Sequence, residues 1–102
     1  MPAHLNGYRY VRAAIDYNVL HYDENPGLTT DIYPTVAKQY HTRWNCVERD
    51  IRTAIERAWN QGNLEKQHKL FGYTVDQYKG RPTNKEFISM ITERVVMRLK
   101  QR

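Results

Sequence analysis

Hydrophobic residues recur along most of the chain at the three- and four-residue spacing of amphipathic helices. The first such pattern covers residues 7–23 and ends at the strong helix breaker Asn25-Pro26-Gly27. A second, short helix is predicted over residues 32–40, with Thr30 or Asp31 as its N-terminal cap. Both segments place apolar side chains on one side, so we expect them to pack against a common core.

The third helical segment has the most clearly two-sided pattern. It includes VERDIRTAIERAW, residues 47–59, and Gly62 is expected to end it with a left-handed cap. One side carries an apolar stripe, which consists of Val47, Ile51, Ala54, Ile55 and Ala58. The other side is polar and carries Asn45, Arg49, Arg52 and Glu56, with Glu48 on the flank. This pattern predicts a helix that is anchored at its back and holds charged side chains outward.

The rest of the chain also favours helices. Another short helix is predicted over residues 64–71, and a final helix capped by Thr83 or Asn84 follows a basic loop. The stripe of the final helix that is expected to face the core consists of Phe87, Ile88, Ile91, Val95 and Leu99. Aromatic residues assigned to packing are Tyr8, Tyr10, Tyr33, Tyr40 and Trp59. No segment is a convincing strand, although TVDQY allows a brief extended stretch, so the predicted fold class is all-α.

The length of 102 residues predicts one domain, residues 1–102, and its composition gives a basic charge balance. Hydrophobic residues make up 40% of the chain and charged residues 26%, a profile typical of globular proteins. The net charge of +5 favours an anionic partner, either nucleic acid or a membrane surface. Cys46 is the single cysteine, which excludes an intrachain disulfide and fits a reducing compartment. Because no apolar run approaches the roughly 20 residues of a membrane span, we expect a cytoplasmic protein without a membrane partner.

The chain shows no constellation of residues typical of catalysis or metal binding. Its histidines, His4, His21, His41 and His68, lack the spacing of zinc-binding motifs. No glycine-rich phosphate loop and no nucleophile–base arrangement is present. We therefore expect no enzymatic activity, no metal site and no cofactor.

The second and third helices together have the pattern of a helix-turn-helix, because three or four residues join them. Ala37 is small where the two helices must approach, and Val47, ten residues later, would pack the second helix of the motif against the first. In such motifs the second helix enters the major groove of DNA and its early residues contact base edges. Arginine can donate two bonds to guanine, and glutamate can accept a bond from cytosine N4. The early residues on the outward face are Asn45, Glu48, Arg49 and Arg52.

Several of these features have a second interpretation. Glutamate and arginine four residues apart on a helix are ordinary solvated pairs, so the same face could be solvated or could bind a protein. Trp44 could stack on a sugar or flank the groove, or it could clamp the core of the helix-turn-helix. Cys46 could be a redox-sensitive thiol or a small, partly covered helix residue.

The order and spacing of five segments resemble a known protein family. The segments are PAHLNGYRYVRAAI, IYPTVAKQY, VERDIRTAIERAWNQGN, LFGYTV and RPTNKEFI. Together they are similar to the C-terminal effector domain of the master sporulation response regulator, stage-zero sporulation transcription factor A, of endospore-forming Firmicutes. The resemblance covers nearly the whole chain. It implies a compact bundle of about six helices with a central helix-turn-helix that binds a short promoter box, usually in tandem copies.

The resemblance also assigns residues to partners. Glu48, Arg49 and Arg52 match the base-reading positions of the family motif. Lys79 and Arg81 match basic loop positions of the family that can lie against phosphates. Thr42, Arg43 and Asn45, at the entry to the third helix, are the other candidates for contacts with the DNA backbone or with bases flanking the box. The family's surface for the RNA polymerase sigma factor corresponds to residues 62–75, with Gly62, Lys66, His68, Phe71 and Val75 as candidate residues. The implied partners are double-stranded promoter DNA, the sigma factor and a second copy of the chain on tandem boxes.

The sequence departs from the family pattern in three respects. The receiver domain of full-length members is missing from these 102 residues, so they correspond either to an excised effector domain or to a free-standing relative. RWNC, residues 43–46, replaces mostly small and polar residues, which changes the phosphate contacts expected there. YDENPG is unusually polar, so the first helix is expected to end early. A receiver-less copy leaves open a second function, a protein-interaction module that modulates a sigma factor or a full-length regulator without reading DNA.

Overall fold

A computed structural model describes the backbone of residues 3–61 and 81–101 and the side chains of residues 6–59 and 81–101. Its four α-helices are α1 (Ala3–Leu20), α2 (Tyr33–Gln39), α3 (Trp44–Gln61) and α4 (Asn84–Lys100). A 3₁₀ turn (Tyr22–Glu24) and a π-helical turn (Leu28–Ile32) lie between α1 and α2. With no strand in these ranges, the structure confirms the all-α class.

The expected count of about six helices is not matched by the four α-helices of the described residues. Three other predictions lie outside those residues, namely the short helix over 64–71, the brief extended stretch TVDQY and the cap at Gly62.

The boundaries of α1 differ from the sequence prediction at both ends. The helix begins at Ala3 and ends at Leu20, three residues before the predicted end. Asn25 adopts a left-handed conformation with φ of 51°. The proline after Asn25 disfavours the right-handed helical region at that residue, and asparagine tolerates the left-handed one. The early end expected from the polar YDENPG segment is therefore confirmed.

The predicted cap of α2 is wrong, because the chain becomes helical earlier than expected. The residue that precedes α2 is Ile32, which makes no side-chain cap bond. The carboxylate of Asp31 instead accepts a bond from the backbone N–H of Gly27 at 2.8 Å. A cap satisfies the first free N–H groups of a helical segment, and here those groups belong to the π-helical turn.

The hydrophobic core lies where α1, α2 and α4 meet the back of α3. Helix α1 packs most extensively against α3, and α2 also packs on α3. The main buried cluster consists of Tyr10, Ala14, Ile32, Tyr33, Val36, Ala37, Val47, Ile51, Ile55 and Ile88. Trp59 is buried against Phe87 and Met90, as its assignment to the core predicts.

Two predictions about buried faces are corrected by the structure. In α4, Val95 and Leu99 are exposed, and the buried positions are Ile88, Thr92 and Val96. The Thr92 hydroxyl accepts a bond from the Asn18 side chain at 3.1 Å, so a polar residue occupies a core position that a hydrophobic pattern does not reveal.

The second correction concerns Tyr8, which is exposed, whereas Tyr10 and Tyr33 are buried. Gly7, Tyr10 and Ala14 form the inward face of α1. Tyr8 points away from this face, because successive residues of an α-helix are rotated by about 100°. Tyr40 is half-buried and packs edge-on against Tyr10, with ring centroids 5.2 Å apart.

Candidate nucleic-acid interface

Helices α2 and α3 are joined by a tight turn that ends α2 with a specific hydrogen-bond pattern. The Thr42 N–H donates to the Ala37 carbonyl at 2.9 Å, and the His41 N–H donates to the Lys38 carbonyl at 3.4 Å. His41 has φ of 56°, the left-handed conformation that this Schellman arrangement requires. The turn reverses the chain within a few residues and places α3 against α2, which is the geometry of a helix-turn-helix.

The back of α3 is buried at four of the five positions of the predicted apolar stripe, and the fifth, Ala58, is half-buried. Val47, Ile51, Ala54 and Ile55 are all at most 2% exposed, as the apolar stripe predicts. Val47 and Ile51 belong to the same buried cluster as Val36 and Ala37 of α2. Burying such side chains contributes about 1.5–3 kcal/mol each for the larger ones, so the orientation of α3 is set by contacts behind it.

The front of α3 holds the predicted base-reading residues outward. The Arg49 side chain is 69% exposed, and its Nε lies 3.6 Å from a carboxylate oxygen of Asp50. The Arg52 side chain is 47% exposed, and its Nη2 donates to Glu48 Oε1 at 2.9 Å. Exposed pairs of this kind contribute about 0–1 kcal/mol, so both guanidinium groups remain available to another anion at small cost.

An open groove of about 630 Å³ runs beside this face, between α3 and the N-terminus of α4. Three cationic side chains line it, from Arg52, Arg81 and Lys85. Arg81 Nη2 also lies 3.0 Å from Glu56 Oε1, and both side chains are 40% exposed. Glu48 also lines the groove, and it pairs with Arg52 as Glu56 pairs with Arg81, so two of the three cations would meet another anion by exchanging an exposed ion pair.

Asn84, the first residue of α4, connects that helix to α2 and α3 at this groove. Its side-chain nitrogen donates to the Tyr33 hydroxyl at 2.9 Å and to the Glu48 carbonyl at 3.1 Å. Burial raises the pKa of Tyr33, and the bond from Asn84 partly opposes that effect. Because Glu48 belongs to the candidate base-reading set, Asn84 ties the backbone of that set to the start of α4.

Sequence reasoning proposed Asn84 only as an alternative cap and missed this connection. The cap is Thr83, whose hydroxyl accepts from the Glu86 N–H at 3.1 Å while the Glu86 carboxylate accepts from the Thr83 N–H at 2.8 Å. Threonine followed three residues later by glutamate is the signature of this capping box. Once Thr83 is recognised as the cap, Asn84 is free to bond outside its own helix.

The candidate backbone-contacting residues at the start of α3 differ in exposure. Arg43 and Asn45 are exposed, whereas Thr42 is half-buried. Trp44 is 50% exposed, so it does not clamp the core of the helix-turn-helix. Cys46 is half-buried, and its backbone N–H donates to the Asn45 side chain at 3.0 Å. The candidate positions outside the described residues are Gly62, Lys66, His68, Phe71, Val75 and Lys79.

Within residues 3–61 and 81–101, no three side chains of His, Cys, Asp or Glu come together as a metal site. In the same ranges, no helix is both long enough and apolar enough to cross a bilayer.

Helices α2 and α3, joined by a tight turn, form the arrangement expected of a helix-turn-helix, with a packed back, two outward arginines and a groove at its side that is lined by three cations and Glu48. Comparison with known families gives a match over residues 1–95 to the family described as Sporulation initiation factor Spo0A C terminal. The matched range covers all four helices except the last turn and a half of α4. The chain therefore belongs to the Spo0A C-terminal family, the DNA-binding effector domain of a sporulation transcription factor.

Proposed function

We propose that this domain binds a promoter box sequence-specifically by inserting the front of α3 into the major groove. The observation that carries the proposal is the outward position of Arg49 and Arg52 on a helix whose opposite side is buried from Val47 to Ile55. A helix held rigidly from behind presents its side chains at fixed spacing, which base reading requires. Membership of a DNA-binding family supports the same function.

The residue chemistry assigns a role to each group on the front of α3. Arg49 and Arg52 would each donate two bonds to guanine O6 and N7. Glu48 would accept from cytosine N4, or it would aim Arg52, with which it already forms a 2.9 Å ion pair. A carboxylate repels phosphates, so its position among the arginines favours reading of bases over indiscriminate phosphate binding.

The flanking residues complete the proposed complex. Thr42, Arg43 and Asn45, at the start of α3, would contact phosphates, and so would Lys79 and Arg81, the basic positions taken from the family resemblance. Arg81 would exchange its weak exposed pair with Glu56 for a phosphate, which costs about 1 kcal/mol or less.

Three further parts of the proposal rest on the family resemblance. Residues 62–75, with candidates Gly62, Lys66, His68, Phe71 and Val75, would contact the RNA polymerase sigma factor. Two copies of the domain would occupy tandem boxes side by side, and the site of action would be the cytoplasmic nucleoid.

The test is a fluorescence anisotropy titration with the family's promoter box and with a scrambled duplex. We expect a clear preference for the box, with affinities for both duplexes that fall steeply as salt rises, because phosphate contacts release counterions. Arg49→Ala and Arg52→Ala should each reduce the preference by roughly tenfold, since a bidentate contact discriminates by about 1–3 kcal/mol. Arg57, an exposed arginine farther along the same helix, provides the matched control in Arg57→Ala. Equal losses on both duplexes for the two test variants would refute base reading by these arginines.

A second candidate function is the protein-interaction module that modulates a sigma factor or a full-length regulator. The observation that favours it is the exposed apolar set on α4, formed by Val95, Met97 and Leu99. The same titration discriminates between the two functions. A protein that binds box and scrambled duplex equally at about 100 mM salt, where non-specific binding persists, supports the interaction module.

A further inference from the structure

Trp44 is the first residue of α3, and half of its surface is exposed. The other tryptophan, Trp59, is buried in the core. A large aromatic side chain left in water forgoes the stabilisation of burial, which makes an exposed tryptophan on a candidate binding face an informative observation. Its surroundings indicate what it contacts.

Trp44 lies on the base-reading face of α3. Residues 44, 48 and 52 are spaced four apart, so Trp44, Glu48 and Arg52 follow one another along a single side of the helix. The 2.9 Å bond between Glu48 and Arg52 shows that neighbours on this side are in contact range. Helical side chains lean toward the N-terminus, so the indole projects ahead of Glu48 at the leading end of the helix.

The chemistry of the major groove restricts what an apolar side chain can contact there. Base edges in the groove present hydrogen-bond donors and acceptors, and their apolar group is the 5-methyl of thymine. Arg43 and Asn45, the exposed neighbours of Trp44 in sequence, are polar groups suited to phosphates. The indole face is suited to neither phosphates nor polar base edges.

From this placement we propose that Trp44 is a specificity-determining residue that contacts the methyl group of a thymine at the edge of the promoter box. The assignment rests on the proposed function and deepens it by adding an apolar contact to the polar contacts of Arg49 and Arg52. It predicts that this protein prefers thymine at one position that the arginines do not reach.

The experiment replaces each thymine of the box and its flanks, one at a time, with deoxyuridine, which removes the methyl group alone. Anisotropy titrations with the unaltered protein should show one position at which the replacement weakens binding by about fourfold, the value expected for one buried methyl. Trp44→Ala should bind thymine and uracil equally at that position, and Trp44→Phe should retain part of the preference. Leu20→Ala is the matched control, because Leu20 is also an exposed apolar residue but lies at the end of α1. Circular dichroism melting confirms that each variant is folded.

The outcomes separate this assignment from the proposed function. If the unaltered protein shows no preference for the box over scrambled duplex, the proposed function fails and the assignment fails with it. If the box preference is present but Trp44→Ala retains full discrimination between thymine and uracil, the assignment alone is overturned. A uniform loss of affinity in Trp44→Ala, equal for both bases, also overturns it and places the indole against the sugar-phosphate backbone.

Discussion

Gly7 lies where α1 comes close to the backbone of α3, and a methyl group added there has no room. A Cβ on Gly7 would lie 2.3 Å from the Asp50 carbonyl oxygen and 2.8 Å from the Ala54 Cβ. The first of these atoms belongs to the backbone of α3, so no side-chain rotation relieves the overlap. In Gly7→Ala the two helices must therefore move apart.

The size of the effect follows from two opposing contributions. The shortest distance is about 1 Å below ordinary van der Waals contact, which begins near 3.4 Å. Overpacking against a rigid backbone lies at the upper end of the usual range, about 3 kcal/mol. Alanine in place of glycine within a helix stabilises it by about 1 kcal/mol. We expect a net loss of about 2 kcal/mol, which lowers the melting temperature of a domain of this size by about 8–16 °C.

The assay is thermal and urea unfolding followed by circular dichroism, with Arg12 as the reference position on the exposed side of α1. At Arg12 the alanine variant should be more stable than the glycine variant by about 1 kcal/mol, which isolates helix propensity. At Gly7 the order should reverse. Equal or higher stability of Gly7→Ala would refute the close approach of α1 and α3, and with it the argument that α3 is held rigidly from behind.

Three further predictions concern the interface. His41→Gly should stabilise the protein by about 1 kcal/mol in urea unfolding, because glycine adopts the left-handed conformation without strain, whereas His41→Ala should not. Asn84→Ala removes the bonds to Tyr33 and the Glu48 carbonyl, so it should cost about 1–3 kcal/mol and reduce box preference in anisotropy titrations more than Ser89→Ala, an exposed control on α4. Burial raises the pKa of Tyr33 above its ordinary value of 10.0, so the neutral phenol stabilises the folded state fully below that value, and this stabilisation is lost as pH rises from there through the raised pKa of the folded state. The melting temperature should therefore fall less steeply from about pH 9 to 11 in Tyr33→Phe than in the unaltered protein. Equal slopes for the two proteins would contradict this.

The sequence by itself determined the helical class, the helix-turn-helix and the two faces of α3. These properties depend on periodicity within one segment, which is a local signal. Apolar residues spaced three or four apart lie on one side of a helix, and that side leaves water only when it faces the core. Val47, Ile51 and Ile55 therefore lie inward, and Arg49 and Arg52 lie outward. The Thr83 cap was also predictable, because its partner Glu86 is three residues away.

Contacts between distant segments were decided only by the tertiary structure. Asn84 finds partners 51 and 36 residues away, and its amide could have bonded equally well to water or to its own helix. Thr92 lies on the buried side of α4, where its hydroxyl accepts a bond from Asn18 of α1, while the more apolar Val95 and Leu99 remain exposed. Gly7 has no side chain to carry a pattern, and its importance lies in the distance to a backbone oxygen of α3. Hydrogen-bond partners and interhelical distances depend on how segments meet in space, and no spacing within a single segment encodes them.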